Sequence, residues 1–251
     1  MTTNTEESLV RPSVVSRSEW ETARKELLKS EKEYTHLRDK VNAERARLPW
    51  VLVEKDYVFD GPEGKVPFAD LFRGRSQLFV QHFMFGPGWK EGCCGCSFLA
   101  DHVDAARQHF EHHDVAFVAI SRAPYPELVK FRERMGWQFP WVSSSESDFN
   151  YDYHVSFTKE QMDSGKVRYN FEEADAEIEE LPGQSTFFKD AEGRIYHTYS
   201  SYARGGEELL GTYMFLDLTP KGRNEKEIMD WVRHHDRYEE GASSCCGGAK
   251  A

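Results

Sequence analysis

The sequence is short of cysteine, of basic charge and of long apolar runs, and each shortage excludes something. With five cysteines in 251 residues, a dense framework of structural disulfides is not available. The chain is nonetheless long enough to bury a core without such staples. No apolar run approaches the length of about eighteen residues that a membrane span requires. Residues Met1 to Pro12 are polar and acidic without an apolar segment, so neither a secretory signal nor an anchor is expected, and a cytoplasmic location is. Lys and Arg number 32 against 43 Asp and Glu, a net charge of -11 that opposes binding to nucleic acid or to anionic membranes. What remains, 39% hydrophobic and 14% aromatic residues, is the composition of a globular protein rather than a disordered chain, a collagen or a coiled-coil rod.

The cysteines that are present sit in two tight groups. Cys93, Cys94 and Cys96 fall within four residues, and Cys245 and Cys246 lie near the C-terminus. Structural disulfides would be distributed to close large loops, whereas such clusters point to redox chemistry or to a soft metal.

Four segments are expected: a disordered tail over 1–15, a helical arm over 16–48, an α/β domain over 49–238 and a flexible cysteine-bearing tail over 239–251. Ser16 with Glu19 forms a capping box. Trp20, Ala23, Leu27, Tyr34, Leu37 and Val41 follow at helical spacing, which predicts one amphipathic helix over 17–47, ended by Pro49. Its charged residues read as a solvated face, and its apolar side would also suit a second subunit, a homodimer. A β-hairpin is expected over Trp50 to Phe68, and Leu78 to Phe85 has the density of a strand buried on both faces. Residues 97–113 read as a helix, Val115 to Ile120 as a second buried strand and Tyr125 to Arg134 as another helix. This alternation predicts βαβ units and a mainly parallel sheet. The acidic run Glu172 to Glu180 reads as a solvated insertion, residues 186–199 as a hairpin and Lys226 to Tyr238 as a closing helix.

The chemistry is expected at Trp89-Lys90-Glu91-Gly92-Cys93-Cys94-Gly95-Cys96-Ser97-Phe98. Here a C-x-x-C pair lies between the end of a buried strand and the start of a helix, where unsatisfied N–H groups favour a thiolate. Cys93 is then the nucleophile and Cys96 the resolving thiol. Zinc uses the same spacing but needs a second ligand pair, and none occurs near a suitable knuckle. Cys94 leaves open a soft-metal or metalloid site built from Cys93, Cys94 and Cys96, with or without Cys245 and Cys246.

Several motifs carry a resemblance. Phe83-Met84-Phe85-Gly86-Pro87, the Gly92-Cys93 to Phe98 turn, Ala119-Ile120-Ser121-Arg122-Ala123-Pro124, Met135-Gly136-Trp137, Phe139-Pro140-Trp141-Val142-Ser143-Ser144, Asp148-Phe149-Asn150-Tyr151-Asp152 and His197-Thr198-Tyr199-Ser200 occur in order. From about Trp20 to Tyr238 the chain resembles the thioredoxin-like bacterial family labelled domain of unknown function 899. The resemblance implies an α/β thioredoxin-like fold with a central mixed sheet, an N-terminal helical arm and a dithiol-disulfide oxidoreductase activity. The family's substrate is not established; the expected chemistry requires no dissociable cofactor, and the expected partners are a disulfide-containing protein or small-molecule thiol substrate and a reductant such as a thioredoxin or glutathione system. A peroxiredoxin-like thiol peroxidase is the adjacent reading, although the Thr-x-x-Cys pattern of those enzymes is missing. Where the family often has proline after the first cysteine, this chain has Cys94.

Further candidates are auxiliary. His82 could help deprotonate Cys93, or simply be hydrogen-bonded in the core. Trp89 could wall the thiols. Thioredoxins place a cis-proline just before the hairpin strand, and Pro182 lies near the corresponding point. Peroxidases of this superfamily steady the thiolate with an arginine, a part open to Arg122 and Arg204, each of which could equally be a surface ion pair. From Tyr238 to Cys245 the chain can reach roughly 25 Å, so Cys245 or Cys246 could resolve an adduct on Cys93.

Overall fold

The Ser16 side chain accepts the Glu19 N–H while the Glu19 carboxylate takes the Ser16 N–H, and this capping box starts helix α1, Arg17–Arg45. None of the helix's residues is buried. Trp20, Leu27, Tyr34, Leu37 and Val41, its apolar side, are exposed. The computed structural model describes residues 12–238, and the chain divides between Pro49 and Trp50 into two compact units. Cys245 and Cys246, and all but the end of the expected N-terminal tail, therefore lie outside the described residues.

The second unit is built on an eight-stranded sheet of β1 (Val51–Leu52), β2 (Val58–Gly61), β3 (Gly64–Pro67), β4 (Gln77–His82), β5 (Val115–Ser121), β6 (Trp141–Ser143), β9 (Gly183–Lys189) and β10 (Ile195–Tyr202). Their order is β1-β10-β9-β4-β5-β6-β2-β3. Helices α2 (Cys94–Ala100) and α3 (Val103–His112) connect β4 to β5, and α4 (Tyr125–Arg134) connects β5 to β6. These three strands run parallel. Between β6 and β9 lie α5 (Phe149–Asp152), α6 (Lys159–Ser164) and a separate two-stranded ribbon, β7 (Lys166–Tyr169) with β8 (Glu172–Asp175). The hairpin β9–β10 packs antiparallel on the other edge of β4, and α7 (Gly211–Leu216) follows it. Parallel strands joined through helices, with an antiparallel hairpin beside the first of them, make this an α/β thioredoxin-like fold. Among the described residues no helix is long and apolar enough to cross a membrane.

Strand alternation divides the core into two layers. Phe117 and Ala119 of β5 face a cluster that holds Phe83, Phe85, Cys94, Cys96, Phe98, Phe131, Trp137 and Trp141. Ala116, Val118 and Ile120, with Leu78 and Val80 of β4, face the opposite cluster around Phe59, Phe68, Phe149 and Phe187.

Five expectations are corrected. The sheet is not mainly parallel: parallel pairing is confined to β4–β5 and β5–β6, and the β2–β3 and β9–β10 hairpins and the strands that flank them pair antiparallel. The predicted first hairpin strand shrinks to β2, because Val51 and Leu52 pair instead with Tyr196 and His197 at the far edge of the sheet. The helix predicted over 97–113 starts at Cys94 and breaks after Ala100. The His102 ring nitrogen Nδ1 occupies the Phe98 carbonyl at 2.7 Å, the acceptor that a continuing helix would give to the His102 N–H, and that N–H turns to Leu99 instead. The acidic run is not wholly solvated: Glu172–Asp175 form β8, and Glu180 is buried at 1% exposure. The closing helix is absent. Over 226–238 only His235–Arg237 form a helical turn, because tertiary anchors hold the segment irregular: Val232 is fully buried and His234 is bonded to the Gly92 carbonyl at 2.9 Å.

Candidate active site

The cysteine turn is held from both sides by backbone. After β4 the Phe83 N–H still pairs with the Ile120 carbonyl, and the chain reverses at Gly86-Pro87-Gly88, where Gly88 has φ +80°. It returns so that the Cys93 N–H donates to the Met84 carbonyl at 3.0 Å. Gly92 is required by this path, since a Cβ there would stand 2.6 Å from Phe83 and 2.9 Å from Phe131. Cys93 is the N-cap of α2, and its carbonyl accepts both the N–H and the hydroxyl of Ser97. Gln81 reaches up from β4 to the Cys96 carbonyl at 2.9 Å, and the Met84 N–H donates to Cys96 Sγ at 3.4 Å.

Cys93 is half-buried and Cys96 buried. The Cys96 thiol donates to Cys93 Sγ and does most to lower its pKa. Burial opposes it, and the N–H groups of Cys96 and Gly95 add to the lowering. The result pulls Cys93 from 9.0 down to about 7. These donors can hold a thiolate at the mouth of the turn with a second sulfur in reach, which is the geometry for nucleophilic attack and resolution.

The structure separates the other candidates. Cys94 is buried and lies near Tyr238, whereas Cys96 lies near Tyr169. On a helix, successive residues point about 100° apart, so three near-consecutive cysteines do not converge. Among the described residues no group of three His, Cys, Asp or Glu is placed to hold a metal, so Cys93, Cys94 and Cys96, the set left open as a soft-metal alternative, are not gathered as ligands. Trp89 packs half-buried against the cluster that contains the thiols, its ring nitrogen over Gly86.

His82 lies on the face of β4 opposite Gln81 and hence away from the Cys96 carbonyl. Its Nε2 meets Ser185 Oγ at 2.7 Å, its ring stacks on Phe149 and Tyr153, and burial pushes it down to about 3, so it is neutral. Arg122, at the end of β5, is committed to Glu180 at 2.5 Å and to the Tyr151 hydroxyl. Arg204 is an exposed residue paired with Glu207 at 2.6 Å. Pro182 does immediately precede β9, but its peptide bond is not cis. Its carbonyl accepts the Tyr169 hydroxyl at 2.7 Å, and that hydroxyl in turn accepts the Ala203 N–H.

Sequence reasoning missed Gln81, Ser97, Tyr169, Glu180, Met229 and His234. Ser97 was legible, since a hydroxyl four residues after an N-cap can fold back on its carbonyl. Glu180 was hidden inside an acidic run. It bonds Arg122 and the Ser156 hydroxyl, and its Cγ would be 3.2 Å from a Cβ at Gly86, so this ion pair lies against the loop that carries the cysteines. Burial raises its carboxyl and Arg122 opposes the rise.

Among solved structures, the peroxidoxin BcpB of Mycobacterium tuberculosis is similar at 15% identity and a TM-score of 0.43, covering 66% of this chain and 95% of that one. A PrxQ variant from Xylella fastidiosa is similar at 16% and 0.40, over 63% and 87%. A putative thiol:disulfide interchange protein DsbE from Chlorobium tepidum is similar at 13% and 0.38, over 67% and 97%. No curated protein matches the sequence. The family model described as a bacterial protein of unknown function, DUF899, matches residues 9–238. With nearly the whole chain matched, from the helical arm through the cysteine turn to Tyr238, the protein belongs to that family.

Proposed function

We propose that the protein is a thiol-disulfide oxidoreductase with Cys93 as nucleophile and Cys96 as resolving thiol. The observation that carries this reading is the set of three donors on Cys93 Sγ, from the Cys96 thiol and two backbone N–H groups, which brings its pKa to about 7. At neutral pH about half of such a thiol is ionised, against about one part in a hundred for an ordinary one. The Cys93 thiolate attacks one sulfur of a substrate disulfide and expels the other as a thiolate. Cys96, once deprotonated, attacks Cys93 Sγ, releases the second substrate thiolate and leaves a Cys93–Cys96 disulfide. Two electrons pass to the substrate, and a thiol reductant such as a thioredoxin or glutathione system must return them. The same residues support peroxide reduction. There Cys93 becomes a sulfenic acid as the peroxide leaves as an alcohol or water, and Cys96 condenses with it with loss of water.

The test is a thiol count before and after one equivalent of oxidised glutathione or of hydrogen peroxide, with the disulfide located by peptide mass spectrometry. Rapid loss of two thiols mapped to Cys93 and Cys96 is expected, abolished in Cys93→Ser and largely spared in Cys94→Ser. Thiols that stay unreactive, or equal losses in both variants, would overturn the assignment.

A further inference from the structure

Residues 224–238 have the composition of a helix and are not one. The Asp230 carboxylate takes the N–H groups of Lys226 and Glu227, and Glu225 takes the Met229 N–H and the Trp231 ring N–H. Met229 is thereby held at φ +63°, a conformation that side chains with a Cβ rarely adopt. Anchors on either side fix the segment to the cysteine turn. Trp231 stands edge-on to Phe98 at 5.6 Å, Val232 is fully buried and His234 bonds the Gly92 carbonyl. Arg237 and Arg134 both pair with Glu91, and Arg134 also pairs with Asp236. A strained backbone of this kind persists only where the surrounding contacts over-determine it. In that conformation the Met229 thioether lies beside the nucleophile candidate: Sδ is 3.0 Å, and Cys93 Sγ 3.8 Å, from the point where a Cβ on Gly95 would be. The glycine in the C-x-x-C pair leaves the room that Met229 fills.

We propose that residues 224–238 form a cover over the cysteine turn, and that Met229 is a specificity-determining residue which admits small oxidants to Cys93 and excludes disulfides of folded proteins. The inference rests on Cys93 as the nucleophile. A peroxide or a low-molecular-weight disulfide reaches a half-buried sulfur past one thioether. A folded protein, whether a disulfide substrate or a dithiol reductant, brings its own backbone and needs the space over the first turn of α2 that Met229 occupies, so of the reductants named above the cover admits the small thiol, glutathione.

The test reads access without turnover. Full-length reduced protein is treated with N-ethylmaleimide or with a maleimide carried on a long polyethylene glycol chain, and unmodified Cys93 is followed by peptide mass spectrometry. Met229→Gly removes the thioether and suits a positive φ, so the fold is retained; Met229→Leu keeps the bulk. The ratio of large-reagent to small-reagent rate is expected to rise about tenfold in Met229→Gly, as for a closed site made open, and to stay at the parent value in Met229→Leu. An unchanged ratio in Met229→Gly would overturn the cover. If the ratio rises but neither oxidant forms a Cys93–Cys96 disulfide, the cover stands and the redox reading falls. If the disulfide forms and the ratio does not move, the reverse holds.

Discussion

Replacing Cys96 by alanine removes the donor that does most to lower Cys93, while the N–H groups of Cys96 and Gly95 remain. A drop from 9.0 to about 7 is ~3 kcal/mol in favour of the thiolate. If the lost thiol accounts for about half of that, Cys96→Ala brings Cys93 to about 8. At pH 7 the ionised fraction falls from about a half to about a tenth. The more basic thiolate is about threefold more nucleophilic, so the alkylation rate at pH 7 falls only about twofold. Above pH 9, where both forms are fully ionised, the variant reacts about threefold faster. The assay is the rate of iodoacetamide modification of Cys93 between pH 5.5 and 10, and its signature is a pair of crossing profiles with inflections about one pH unit apart. Cys96→Ser, which keeps a donor, should hold the inflection near that of the parent. An inflection that stays near 7 in Cys96→Ala would refute the reasoning and assign the acidity to the backbone donors alone. Linkage gives a second reading of the same quantity. The native Cys93 binds its proton less tightly than the unfolded one, so its contribution is full above pH 9 and is lost as pH falls through 7. The parent should therefore gain stability across that window more steeply than the variant.

Gly92→Ala puts a methyl group 2.6 Å from Phe83, whose ring is locked among Phe131, Trp137 and Trp141. A loss of about 1–3 kcal/mol in urea unfolding is expected, and a neutral outcome would mean that the turn can shift. Glu180→Ala leaves Arg122 facing Tyr151 and the more distant Glu179 without its close counter-charge, at side-chain exposures of 12% for Arg122 and 1% for the lost Glu180. A destabilisation of about 3–5 kcal/mol is expected, with much of it recovered in the double variant that also replaces Arg122 by methionine. Equal losses in the single and double variants would show that the pair is not coupled.

The sequence by itself determined whatever depends on near neighbours. The apolar run from Leu78, the buried strand from Val115 and the helix Tyr125–Arg134 carry their periodicity in their own residues, so the parallel layer and the place of Cys93 at its edge were legible. So was the capping box that starts α1, where Ser16 and Glu19 satisfy each other's backbone within four residues. Tertiary structure decided the rest, because those outcomes are set by partners distant in the chain. Whether His82 faces the thiols or the Phe149 layer depends on the phase of a strand buried on both sides, where both faces are apolar and composition gives no sign. Glu180 looks like its acidic neighbours until Arg122, 58 residues earlier, is brought to it. The segment around Met229 has helical composition, yet His234 finds the Gly92 carbonyl and Val232 finds the core. Propensity is worth tenths of a kcal/mol per residue, and such anchors are worth more.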